Sequence, residues 1–157
     1  MANIKDNISK KKLVAPKAAK VGIVRSEYNP KITEALLESC LKELKKSGIS
    51  EERIFVVTVP GAWEIPIATQ QLIKAKKPNV VITLGLILKG QTPHFDFIAM
   101  ACAKGIMDVS LETGLPIIFG VLTTNTLAQA KARIKGGSHG DKGIEAAQAA
   151  IKMLNLN

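Results

Sequence analysis

From residue 21 onward, short runs of aliphatic and β-branched residues alternate with longer stretches in which apolar side chains return every three to four positions. VGIVR at 21–25 reads as a first strand. Asn29-Pro30 then opens a helix whose apolar positions, Leu36, Leu37, Cys40, Leu41 and Leu44, share one face, and Gly48 closes it. IFVVTV at 54–59 is a second strand, and the segment after Pro60-Gly61 is a second helix ending near Lys77. NVVITLG at 79–85 is a third strand, followed by a loop and a helix from about Thr92 to Glu112. Pro116 begins a fourth strand, PIIFGVL, and two helical segments follow, broken at Gly136-Gly137 and Gly140.

Continuous apolar strands separated by helices predict an α/β/α sandwich, with a central, mainly four-stranded parallel sheet buried between two helical layers. Neither an internal repeat nor a linker interrupts the pattern, so 21–157 reads as one domain. In open sheets of this kind ligands bind beyond the carboxyl ends of the strands. The unusual residues gather at those ends. Tyr28 follows strand one, Pro60 to Glu64 follow strand two, the run GLILKGQTPHFDF follows strand three, and Phe119 lies late in strand four.

Composition narrows the class. A chain of 157 residues buries about two thirds of its unfolded surface and needs no disulfide or metal staple. The longest apolar stretch, 80–88, is far shorter than the ~20 residues of a membrane span, so no membrane association is expected. The net charge of +9 suggests nucleic acid until it is located: residues 1–20 hold six lysines against Asp6, and the remainder carries a surplus of only four. With aromatic residues at 4% and no recognised fold motif, nucleic acid is not an expected partner. The lysine-rich segment 1–20 reads as a flexible tail, either a plain solvated extension or an electrostatic arm for RNA, membrane or an acidic partner. It has no apolar core for a secretory signal and lacks the arginines of a transit peptide, which predicts a cytoplasmic protein. Cys40 and Cys102 lie in helical patterns without a C-x-x-C or a histidine at ligand spacing, and read as buried reduced thiols.

The chemistry concentrates in two segments. Thr92-Pro93 suits a helix N-cap and first turn, which turns the free N–H groups near Gly90, Gln91 and Thr92 toward the crevice as an anion site; a plainly capped helix start fits the same residues. His94 follows in the first turn, where an imidazole can both take and give a proton, although a single histidine is also compatible with a structural role. In VPGAWEIP, Pro60-Gly61 forces a turn that presents Ala62, Trp63 and Glu64. A carboxylate beside an aromatic suits a polyhydroxylated or heteroaromatic ligand, while Trp63 in the core and Glu64 as a helix cap is the alternative. The run IKGGSHGDKG after Arg133 matches neither the P-loop nor the dinucleotide fingerprint, and His139 within it reads as a surface residue.

Taken in order, GIVRSEYN, VPGAWEIP, TLGLILKGQTPHFD, PIIFGVLTT and ARIKGGSHGDKG resemble the lumazine synthase family of riboflavin biosynthesis, over about 21–154. The resemblance implies a flavodoxin-like fold and a transferase that condenses 5-amino-6-(D-ribitylamino)uracil with 3,4-dihydroxy-2-butanone 4-phosphate, losing phosphate and water, with no cofactor and no metal. It implies that Tyr28 and Phe119 are aromatic walls of the pyrimidine site, that Ala62, Trp63 and Glu64 hold the pyrimidine and ribityl chain, and that the backbone of Leu86, Ile87 and Leu88 completes that pocket. Gln91 and Thr92 would bind phosphate with Arg133 and Lys142, and His94 would transfer protons. The family also implies a homopentamer or an assembly of pentamers, and names riboflavin synthase as a candidate partner. The step from Arg133 to Lys142 is one residue longer than the G-T-K-A-G-N version associated with sixty-subunit shells, which favours a free pentamer or a pair of pentamers. A non-catalytic flavin- or riboflavin-binding module is the competing reading, and it has no use for His94 with Arg133.

Overall fold

The hydrophobic runs form one four-stranded parallel sheet in a computed structural model that describes residues 12–156. Its strands are β1 (Val21–Ser26), β2 (Ile54–Val59), β3 (Val80–Leu88) and β4 (Ile117–Thr124), in the order β2-β1-β3-β4. The helices are α1 (Pro30–Lys46), α2 (Ile65–Lys76), α3 (His94–Thr113), α4 (Leu127–Lys131) and α5 (Lys142–Leu154).

Side chains alternate across the sheet and build two cores. Val80, Ile82, Leu84 and Leu86 of β3 join Leu36, Cys40, Leu44, Ala147 and Ile151 of α1 and α5. Val81 and Ile87 point the other way, with Leu72 of α2 and Cys102 and Ile106 of α3. A strand covered on both faces has no polar side to show, which is why β3 reads as an unbroken apolar run. Each large aliphatic buried there contributes roughly 1.5–3 kcal/mol. The one polar residue in its middle, Thr83, is satisfied: Oγ1 donates to the Ile118 carbonyl at 2.9 Å.

Helix α1 starts at Pro30 and its chain reverses at Gly48, whose φ of 103° is open to glycine and strained for other residues. Three boundaries differ from the expected ones. β3 continues past Gly85 to Leu88, paired with β4 as Leu86↔Leu122, Ile87↔Thr123 and Leu88↔Thr124. Gly85 marks a close approach and not a strand end: a Cβ there would lie 2.6 Å from the Ser26 hydroxyl. After Pro60-Gly61 a short 3-10 turn, Ala62–Glu64, precedes α2. Lastly, residues 13–20, expected within the flexible tail, lie on the fold. Ala15 and Ala19 are buried, Ala15 N donates to the Ser47 carbonyl at 3.0 Å, and Arg53 Nη1 donates to the Ala18 carbonyl at 3.0 Å. Residues 1–11 of that tail are outside the described residues.

Candidate active site

The strand order places a crevice between β1 and β3. Helix α1 leaves β1 toward one face of the sheet and α3 leaves β3 toward the other, so the carboxyl ends of these neighbours are not bridged by a connection. The β1–β2 ladder runs beyond its strands, with Glu27 N donating to the Val59 carbonyl at 2.8 Å and Tyr28 N to the Pro60 carbonyl at 3.2 Å. Asn29, in the left-handed region at φ 57°, then turns the chain into α1 and leaves Tyr28 at the rim. On the opposite side, Leu86, Ile87 and Leu88 end β3 as the floor.

Between them lies a cleft of about 450 Å³, within the usual range for small-molecule sites. Tyr28 and Trp63 stand on its walls with 69% and 61% of their surfaces exposed, an expensive way to keep aromatics unless something covers them. Ser26 Oγ at the end of β1, Asn29 Nδ2 just after it, and Thr124 Oγ1 of β4 are buried without a partner among the described residues. Unsatisfied polar groups are thus concentrated at this end of the sheet.

The start of α3 forms the remaining side. Lys89 N donates to the Thr124 carbonyl at 2.9 Å and fixes the chain as it leaves the sheet. The expected cap at Thr92 is not formed: the helix begins at His94, Pro93 occupies the N-cap position without a side-chain cap, and Thr92 Oγ1 accepts only a long bond from His94 N at 3.4 Å. Thr92, His94 and Gly90 all line the cleft. An imidazole therefore stands beside the positive end of a twenty-residue helix, facing two aromatic walls.

Eight of the residues singled out in the sequence share this cleft: Tyr28, Ala62, Trp63, Leu86, Ile87, Leu88, Thr92 and His94. Glu64 does not. Its Oε2 accepts from Gly61 N at 3.0 Å, capping the turn, and the residue faces an adjoining recess with Trp63 and Ile67. Gln91 is exposed and is not part of the lining. Phe119 and Lys142 lie together in a different groove of about 200 Å³, where Lys142 Nζ pairs with Glu145 Oε2 at 2.7 Å. Arg133 Nη1 donates to the Gln129 carbonyl of α4 at 2.8 Å. Gly61 and Gly90, expected only as turn residues, also line the cleft, and Phe95 and Ile98 line it without having been named. His94 and Ile98 are four residues apart and share a helix face, a spacing that would have flagged Ile98.

Comparison with known proteins adds what geometry alone lacks. Residues 18–157 match the family model of 6,7-dimethyl-8-ribityllumazine synthase. The chain belongs to that family. A lumazine synthase of Protochlamydia amoebophila is 48% identical over 138 residues, covering 88% of this chain and 80% of that protein. One from Xanthomonas euvesicatoria pv. vesicatoria is 42% identical over 141 residues, covering 90% and 91%. As a lumazine synthase family member, the chain carries a parallel sheet with helices on both faces, consistent with the flavodoxin-like fold the resemblance implies. Among the described residues no helix is long and apolar enough to cross a membrane.

Proposed function

We propose that the cleft between β1 and β3 is where this chain condenses 5-amino-6-(D-ribitylamino)uracil with 3,4-dihydroxy-2-butanone 4-phosphate to 6,7-dimethyl-8-ribityllumazine, releasing phosphate and water without a cofactor or metal. The observation that carries this reading is the presence of His94 on the same cleft as Tyr28 and Trp63. The aromatics suit a flat pyrimidine, the turn at Gly90 to Thr92 suits a phosphate, and His94 stands where it can move protons during imine formation and elimination. Orientation of two bound substrates supplies a further part of the acceleration, on the order of 7–11 kcal/mol in favourable cases. A purely flavin-binding module would have no need of His94.

The site is completed by a second copy. Phe119, Arg133 and Lys142 belong to the same substrate site in this reading, yet they stand on another side of the chain, so a neighbouring chain supplies them. Head-to-tail contact between unlike faces closes into a ring, and a pentamer or a pair of pentamers is the assembly proposed. Helix α3 supports self-association: Phe97, Met100, Met107 and Leu111 are 57–74% exposed along it, an apolar face that an isolated chain would leave in water. The protein acts in the cytoplasm, with riboflavin synthase as a candidate partner. Mixing both substrates with the purified protein, nothing else added, yields a fluorescent lumazine spectrum; absence of that product overturns the assignment.

A further inference from the structure

The loop from Arg133 to Lys142 carries both cations assigned to the phosphate, and its ends are joined by its own backbone. Lys142 N donates to the Arg133 carbonyl at 2.9 Å. The tip folds back on itself, with Gly137 N donating to Ile134 O at 2.8 Å inside the closure, His139 N donating to Ala132 O at 2.8 Å just before it, and Gly136 and Gly140 at φ 82° and 80°. The closing bond therefore holds the Arg133 and Lys142 backbones side by side across the tip.

The closed loop is attached to the domain by Ile134, which packs against the α1–α5 core, and by the first turn of α5. Asp141 caps that helix, its Oδ1 accepting from Gly143 N at 2.9 Å and Ile144 N at 3.3 Å. Its Oδ2 accepts from Ser39 Oγ of α1 at 2.6 Å. Ser39 is buried and 102 residues away in sequence. Gly143 lies so close to α1 that a Cβ would collide with the Leu36 carbonyl. One carboxylate thus holds a helix start with one oxygen and a second helix with the other, immediately beside Lys142.

We propose that Ser39 and Asp141 form a positioning clamp that fixes Lys142 and, through the Lys142–Arg133 backbone bond, Arg133 in register with the rest of the subunit. The clamp rests on the reading of Arg133 and Lys142 as phosphate ligands. Neither Ser39 nor Asp141 lines the cleft, so their effect passes through the loop to the phosphate end of the substrate alone.

The test uses the full-length assembled protein with Ser39→Ala, Asp141→Ala and Asp141→Asn. Ser39→Ala is expected to raise the KM for the ketose phosphate, and the Kd for inorganic phosphate measured directly by calorimetry, by about tenfold, the effect of a lost bond to a charged acceptor. The KM for the pyrimidine stays unchanged. Asp141→Ala shows the same split, whereas Asp141→Asn keeps an acceptor for the cap and a polar partner for Ser39, and restores near-native values. A merely structural pair would lower the melting temperature and the active fraction while leaving both KM values alone. That outcome, or an equal rise for both substrates, overturns the clamp. Should Asp141→Ala not fold, Ser39→Ala decides, since it leaves the α5 cap intact. A wild-type protein that makes no lumazine overturns the reading of the cleft, while the phosphate affinities of wild type and Ser39→Ala still decide the clamp.

Discussion

Tyr28 and Pro60 are joined by a backbone hydrogen bond of 3.2 Å, which ties the residue after β1 to the turn after β2. Two sequence segments that look unrelated, GIVRSEYN and VPGAWEIP, are one structural unit as a result. The bond holds the Tyr28 backbone while leaving its ring free at the edge of the cleft, so the side chain is available for a ligand and its loss should not disturb the turn.

Tyr28→Ala is therefore expected to weaken the pyrimidine substrate by about 0.5–1.5 kcal/mol, the contribution of an aromatic pair beyond area burial. Tyr28→Phe keeps the ring and stays near wild type. The KM for the pyrimidine, measured by lumazine fluorescence, checks both; equal behaviour of Ala and Phe would remove the stacking role.

The sheet was legible in the sequence because both of its faces are covered, and a doubly buried strand such as β3 is apolar except where a polar side chain finds a partner, as Thr83 does. Its end was not, since Gly85 has the same letter whether it breaks a strand or admits a close neighbour, and only the Ser26 hydroxyl against it distinguishes the two. Glu64 could be placed in a turn at a strand end, but whether its carboxylate faces a ligand or the Gly61 N–H depends on three residues of backbone. Ala15 and Ala19 were unreadable for another reason. Their burial against the domain depends on contacts with residues such as Ser47 that are distant in sequence, and lysines on either side hide it.

His94→Ala is expected to slow turnover by roughly 10²-fold with both KM values nearly constant, the pattern of a group that acts in the transition state. Steady-state kinetics with each substrate varied in turn gives the result. A parallel loss of substrate affinity would mark His94 as structural.

The two cysteines are free thiols buried in the fold. Burial, aided by the charge of Asp141, pushes the Cys40 thiol up from 9.0 to about 12, and burial pushes Cys102 up to about 11. Since only the thiolate reacts, iodoacetamide at pH 8 should label neither until guanidinium unfolds the chain. The sign of the linkage follows: both groups bind their protons more tightly when folded, so their contribution is complete below pH 9 and is lost as pH rises through about 11 and 12. Melting temperatures measured from pH 8 upward should fall above pH 9, and stoichiometric labelling of the native protein would contradict the buried placement.

The shared site is tested most directly by mixing two defective chains. His94→Ala subunits supply an intact Arg133, and Arg133→Ala subunits supply an intact His94. Unfolded together at equal ratio and reassembled, they should regain activity at about a quarter of the sites, those where an intact His94 meets an intact Arg133 across a head-to-tail seam. The same two variants refolded separately and then combined should remain inactive. Mixed rings, verified as mixed, that show no more activity than these controls would contradict a site built from two copies and would require His94 and Arg133 to act within one chain.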